Sequence, residues 1–273
     1  MPERSAMYKT PAYLKGRARL KQRARLLCLI GWKLAVSGAE TRLIMQTLEK
    51  LCEKLHLEPP EIIVTRSVIW IEICQGCARE CAQRKIRAFG INMSEVSEIS
   101  LLCARFLRDG FGSFEEFEQA AEAVGSPRYD PRFLCVIEAF AALCFAFCNG
   151  GDLKVCLAAL AGGFVLMAVR FCMSARGYFT AFVFIVAAFS GCSAAMLASR
   201  YVTGADEGEM RLAIMATTLL LVPGYPYMNG FLDVFKGYLE TGVFRLMHSV
   251  VLTMAAAMGL LGALWFTGII ENV

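Results

Sequence analysis

Charge is scarce in the second half of this chain. Of the 28 Lys+Arg and 24 Asp+Glu in its 273 residues, only 8 and 8 lie beyond Pro131. Histidine is scarcer still, with His56 and His248 alone. Cys74, Cys77 and Cys81 have a ligand-like spacing, and on a helix their thiols would share one face. No histidine lies beside them and no fourth ligand is evident, so neither zinc nor an iron–sulfur cluster is expected. There is no Walker A loop, no dinucleotide glycine pattern, no HExxH and no nucleophile elbow. ATP-driven transport by this chain alone is therefore disfavoured. No catalytic set is identifiable, and the chain reads as not an enzyme, with no cofactor. The first 30 residues are basic and hold no long apolar run before a cleavage site, so no secretory signal peptide is read. A net charge of +4 gives no reason to expect nucleic-acid binding.

What the sequence has is hydrophobicity. Apolar residues make up 57% of it and mean hydropathy is +0.51, against about 45–50% in soluble domains. The excess lies after Pro131, in segments near 132–149, 153–171, 178–199, 209–224 and 246–270. A bilayer core about 30 Å thick needs roughly 20 apolar residues per helix. The expected fold class is a membrane α-helical protein with five transmembrane helices, the fourth broken at Pro-Gly, preceded by a small cytosolic α+β domain. The expected domains are residues 1–131, opening with a basic helix, and residues 132–273, the five-span part. An odd number of spans puts its two ends on opposite sides of the bilayer, as half of a larger assembly would.

Residues 1–16 read as a loose tail. A helix follows over 17–36, and its Arg17, Arg19, Lys21, Arg23 and Arg25 form either a solvated face or a contact with anionic headgroups. Leu43, Ile44, Leu48, Leu51 and Leu55 have helical spacing behind a glycine at Gly38. Residues 61–66 and 68–74 suggest a two-stranded hairpin. Helices over 94–108 and 113–124 would each be capped by a serine. The basic N-terminal part and the loop charges place the N-terminus in the cytoplasm and the C-terminus outside. Many free cysteines in the soluble part agree with a reducing compartment.

Several polar groups at membrane depth are candidates for a substrate pathway. Glu138 lies six residues into the first apolar segment, where an ionisable group is costly; it serves either a cavity or an interface. Asn149 and Asp152 bracket Gly150-Gly151 and form either a tight loop or a gate. The fourth segment stops at Pro223-Gly224, too early to cross the core alone. It is either a helix end followed by an interfacial helix or a discontinuous helix lining a path. Asn229 and Asp233 follow the break. Arg170 could snorkel to the interface; alternatively Arg170 or Arg245 could pair with an anionic substrate. Small residues at packing spacing (Gly162, Gly163, Gly191, Ala195, Ala255, Gly259, Ala263) suit contacts within this chain or with a partner chain.

The order of these motifs carries a resemblance. Gly38-Ala39-Glu40-Thr41-Arg42 heads a helix; strands over 61–74 follow, then Gly150-Gly151-Asp152. Leu221-Val222-Pro223-Gly224 comes last, with Asn229, Asp233, Gly237, Gly242 and Arg245. From about residue 20 to 265 the chain resembles the threonine/serine exporter family, and within it the split, YjjP-type members. The resemblance implies a multi-pass protein of the inner (plasma) membrane. It also implies a hetero-oligomer with a small YjjB-type membrane subunit, and export of a small carboxylate: succinate in the split pairs, threonine or serine in the fused proteins. The alternative is a non-transporting membrane scaffold or regulator whose cytosolic domain binds a partner.

Overall fold

A computed structural model describes residues 11–87, 90–110, 113–125 and 129–267. The chain divides into two compact units: Met1–Arg128 with Met228–Arg245, and Tyr129–Tyr227 with Leu246–Val273. Residues 228–245, grouped by sequence with the membrane part, thus cluster with the N-terminal residues.

The first unit is built on α1 (Pro11–Val36) and a three-stranded antiparallel sheet in the order β1-β2-β3. Residues 1–10 of the expected tail lie outside the described residues, and 11–16 are already helical. Leu20, Ala24, Leu27, Ile30 and Leu34 recur every three or four residues along α1 and are buried, as a core-facing helix requires. They meet Ile69, Ile71 and Ile73, alternate residues of β2 (Val68–Gln75) that share one sheet face. Helix α2 (Thr41–Lys54) adds Ile44, Leu48 and Leu51 to this core. Helices α3 (Met93–Asp109) and α4 (Phe114–Ala123) join through Phe106 and Phe117, whose rings stack at 4.2 Å. The Arg17 side chain pairs with Glu80 at 2.5 Å, while Arg19, Lys21 and Arg25 are exposed. Burial pushes the Cys28 thiol up to about 11 and those of Cys52 and Cys103 up to about 12. They are core hydrophobes rather than reactive groups.

Two expectations need correction here. The hairpin of β1 (Glu61–Val64) and β2 has a third member, β3 (Ala78–Lys85), paired from Val68↔Lys85 to Gln75↔Ala78. Its sequence, Ala-Arg-Glu-Cys-Ala-Gln-Arg-Lys, has no β-branched residue, so local propensity does not announce it. Pairing with β2 makes it a strand, and its charges suit a sheet edge. Cys74, Cys77 and Cys81 consequently sit on two strands and the turn between them, not on a helix. The cap of α3 is Asn92, whose side chain accepts from the Glu95 amide, rather than Ser94; Ser113 caps α4 as expected.

The second unit is helical. Its segments are α5 (Pro131–Cys148), α6 (Leu153–Ala175), α7 (Thr180–Leu197) with a π-helical extension to Thr203, and α8 (Glu207–Leu219). It also takes in the greater part of α10 (Leu239–Phe266). Four helices among the described residues are long and apolar enough to cross a membrane: Pro131–Cys148, Leu153–Ala175, Thr180–Thr203 and Leu239–Phe266. Arg200, just beyond the expected segment 178–199, lies in the π-helical turn that lengthens the third. Residues 268–270 of the expected last span lie outside the described residues. The fourth expected span is the 13-residue α8, about 20 Å long at 1.5 Å per residue.

Packing in this unit runs through small residues. A Cβ on Gly162 would stand 2.7 Å from both Ala195 Cβ and Thr217 Oγ1, and one on Gly259 only 2.2 Å from the Ile185 carbonyl oxygen. Bare backbone at these points lets α6 approach α7 and α8, and α10 approach α7. The small-residue positions therefore serve contacts within this chain.

Candidate functional site

A long-range polar cluster on the first unit joins residues 38–41 to residues 229–245. It starts where α1 ends. Gly38 has φ +90, a left-handed torsion that a glycine adopts without Cβ strain. The Ala39 amide then donates to Leu34 O at 2.9 Å and the Gly38 amide to Ala35 O at 3.2 Å, a Schellman ending. The chain turns sharply into α2, which leaves the carbonyls of Gly38 and Ala39 and the amide of Thr41 in need of partners. Glu40 stands at the N-cap position of α2, and its side chain makes no capping bond.

Partners come from nearly 200 residues away. Helix α9 (Gly224–Phe235) presents Asn229 and Asp233 along one face, since residues four apart are neighbours on a helix, and Lys236 follows its last residue. Asn229 Nδ2 donates to Gly38 O at 3.0 Å. Asp233 accepts the Thr41 amide at 3.2 Å on Oδ1 and the Thr41 hydroxyl at 3.0 Å on Oδ2. Lys236 pairs with Glu40. After α9 the chain reverses, with the Tyr238 amide donating to Asp233 O at 2.8 Å. Gly242 then crosses α9 so closely that a Cβ would stand 2.7 Å from the Val234 amide nitrogen and 2.8 Å from Gly230 O. One turn further on, Arg245 reaches Asp233 Oδ2 at 3.0 Å through Nη1 and Ala39 O at 3.1 Å through Nη2. Asp233 is completely buried, and the Arg245 side chain is 14% exposed.

The Asp233 carboxylate thus caps α2 from another element, where it meets the positive end of the helix dipole. Burial raises its pKa above the ordinary aspartate value, and this outweighs the lowering by the Arg245 charge and the two Thr41 donors. Chemically the cluster is a clasp made of the protein's own groups. The Arg245 guanidinium is engaged by a carboxylate and a carbonyl of the protein itself. Among the described residues no group of three or more His, Cys, Asp or Glu is placed to hold a metal ion.

The remaining candidates fall elsewhere. Asn149 and Asp152 are exposed and act locally: Asn149 Nδ2 donates to Phe145 O at 2.7 Å, and Asp152 accepts the Val155 amide at 3.0 Å as the N-cap of α6. Glu138 lies half-buried on α5 and interacts electrostatically with Arg170 of α6. The Arg170 guanidinium also lies 5.4 Å from the centre of the Phe184 ring. Pro223 and Gly224 occupy a true break. The Leu220, Leu221 and Val222 amides donate to carbonyls only three residues back, which tightens the end of α8, and α9 starts at Gly224.

Of the eight candidate positions, the structure therefore brings Asn229, Asp233 and Arg245 together. It places Pro223-Gly224 at the start of α9, and it keeps Glu138, Asn149 and Asp152 out of the cluster. Thr41, which supplies two of the three donors to Asp233, was not among the candidates. Its one local signal is a helix start preceded by glutamate in place of a serine, threonine, aspartate or asparagine cap.

A family model described as "Putative threonine/serine exporter" matches residues 25–267. The chain is 27% identical over 254 residues to the "Probable succinate transporter subunit YjjP" of Escherichia coli (strain K12), covering 91% of this chain and 97% of that protein. It is 26% identical over 235 residues to the protein of the same name from Klebsiella aerogenes, covering 85% and 89%. No solved structure matches the chain.

Proposed function

Since the chain belongs to the threonine/serine exporter family, we propose that it is one subunit of a secondary transporter that exports a small carboxylate metabolite from the cytoplasm. The observation that carries this reading is the reach of the family match, residues 25–267, which takes in both the clasp and the last apolar helix. The relatives named as succinate transporter subunits favour a dicarboxylate over threonine or serine, and the word subunit favours a second chain. We assign that partner to a small YjjB-type membrane protein, with the pair in the inner membrane, and the driving force to the substrate or proton gradient.

Topology supports the reading. Residues 228–245 cluster in one unit with the basic N-terminal residues, so both belong on one side of the bilayer. Three long helices from Pro131 leave the chain on the far side at Thr203. It returns before residue 228 only if α8, with the turn that ends at Pro223, makes a crossing. The proposed topology therefore has five crossings, the fourth short and broken, with the N-terminus in the cytoplasm and the C-terminus outside. A half-length crossing leaves backbone groups at membrane depth that need protein or water as partners, which is how substrate paths are built in other transporters.

The test is flux through liposomes. The chain is reconstituted with and without the small second subunit, and efflux of labelled succinate is compared with that of labelled threonine. Succinate efflux that needs both chains is expected, and it should fall in P223A and N229A variants that still insert. Equal flux in these variants removes the broken helix from the pathway. No flux of either compound from the paired chains removes the transporter reading.

A further inference from the structure

Arg170 of α6 has a charge and no anion against it. Arg245 meets the Asp233 carboxylate at 3.0 Å. Among the described residues Arg170 meets no carboxylate at ion-pair distance. Its guanidinium carries five N–H donors in a rigid fork. Among the described residues the acceptor it reaches is the Met167 sulfur, 3.9 Å from Nη1, and a thioether accepts weakly. The Phe184 ring of α7 lies with its centre 5.4 Å from the guanidinium carbon. Such a contact fixes the plane of the fork without using its donors.

The setting is unusual for an arginine of the second unit. Arg132, Lys154, Arg176, Arg200 and Arg211 are all exposed, whereas Arg170 is half-buried. It stands within a helix long and apolar enough to cross a membrane, five residues before the last, Ala175. That is about 8 Å from the helix end at 1.5 Å per residue. Phe184 lies four residues into α7, and Glu138 seven residues into α5. Short links at 149–152 and 176–179 make successive helices antiparallel, so all three positions fall at one end of the group. Glu138 acts on Arg170 electrostatically, from beyond ion-pair distance. Met167 and Phe184 pack in one apolar cluster with Leu221, two residues before Pro223, and with Leu252 of α10. The neighbours of the guanidinium are therefore the residues against which the broken α8 ends. A charge kept inside such a helix group is costly and marks function. The partner that suits the fork is a planar anion that accepts two parallel N–H bonds, as a carboxylate does.

We propose that Arg170 binds a carboxylate of the exported metabolite, with Phe184 holding the fork in place and Glu138 limiting the affinity for the bound anion. This rests on the transport reading and names the residue that would recognise its substrate. It holds for succinate and threonine alike, since each carries a carboxylate. A lipid phosphate has the same oxyanion chemistry and is the other possible source of the ligand.

Two measurements test it on the full chain, alone and with the small second subunit. One is binding of labelled succinate and threonine in detergent. The other is succinate efflux from liposomes of phosphatidylcholine with or without phosphatidylglycerol. R170Q should weaken succinate binding roughly tenfold or more, the loss expected when a charged hydrogen-bond partner is removed. R170K keeps the charge without the fork and guards against misfolding of R170Q; it should raise KM several-fold and leave kcat nearly unchanged. E138Q should shift KM the opposite way, which a merely structural role for the pair would not produce. R176Q removes an exposed arginine just after the same helix and should leave binding and flux unchanged. Wild-type efflux that R170Q and R170K do not alter overturns the role of Arg170 and leaves the transport reading standing. Succinate binding that R170Q abolishes, with no efflux from the paired chains, keeps the site and removes the transport reading. Neither binding nor efflux removes both. An equal loss in R176Q overturns the site, because the attraction is then one of surface charge. A stabilising effect of phosphatidylglycerol that R170Q abolishes, with succinate binding intact, assigns Arg170 to lipid and overturns the proposal.

Discussion

Asp152 and Asp233 perform the same elementary task in opposite settings. Each accepts a backbone amide at a helix N-terminus. Asp152 is exposed and caps the helix that begins with the next residue. Asp233 is completely buried and caps a helix 192 residues earlier in the chain, with Arg245 against its second oxygen. The first is a local device that any short turn can use. The second ties the start of α2 to α9 and α10, and its removal leaves a charge stranded.

Substitutions that separate the two should therefore differ several-fold in effect. D233A leaves the Arg245 guanidinium without its carboxylate in a mostly buried position. Losing one member of such a pair costs about 3–5 kcal/mol, so the first unit should melt far below the wild type in detergent. D233A/R245M, which removes both charges, should recover much of that loss. If the double variant is as unstable as D233A, the pair is not the source of the effect. G242A comes next. Its new Cβ meets backbone at 2.7 and 2.8 Å, where a neighbour cannot yield as a flexible side chain would. Overpacking of this kind costs about 1–3 kcal/mol, read as the shift in denaturant midpoint. D152A removes an ordinary cap and should cost about 1 kcal/mol. A D152A variant that abolishes flux while remaining folded would reinstate the α5–α6 loop as a gate.

Acid gives the smallest and most specific contrast. The folded pKa of Asp233 is raised, chiefly by burial. The folded protein therefore binds a proton more readily than the unfolded chain between about 3.9, the ordinary aspartate value, and the raised value. Stability from this group is fully present below the lower limit and is lost as pH rises through the upper one. Relative to D233N, the wild type should gain stability as pH falls from neutral toward about 4. A melting-temperature difference between the two that does not change with pH would show that Asp233 does not titrate in that window.

The elements were legible where they follow local rules. Helix α2 was visible from Ile44, Leu48 and Leu51, and β2 from the alternation of Ile69, Ile71 and Ile73. The α8–α9 break was visible because proline and glycine stand together at 223–224. Strand β3 was not, because Arg79, Glu80, Arg84 and Lys85 carry no strand preference of their own and take their conformation from β2. The extension of the third span to Thr203 was also hidden, since Arg200 reads as a loop charge.

The candidate site divides in the same way. Asn229, Asp233 and Arg245 stood out as polar groups in an apolar stretch, and the Gly38–Arg42 turn stood out through its glycine. Periodicity cannot report that a carboxylate at 233 meets an amide at 41, since nothing in either neighbourhood encodes the other.

The sequence by itself determined the division of charge at Pro131, the apolar segments and the break at Pro223-Gly224, because hydrophobicity and backbone restriction are properties of short stretches. Tertiary structure alone decided that Asp233 faces Thr41 and Arg245, and that the Phe244 ring meets the Arg66 guanidinium. Contacts between residues nearly 200 positions apart depend on how whole helices pack, and bare backbone at Gly242 is what lets two of them come close enough to make the clasp.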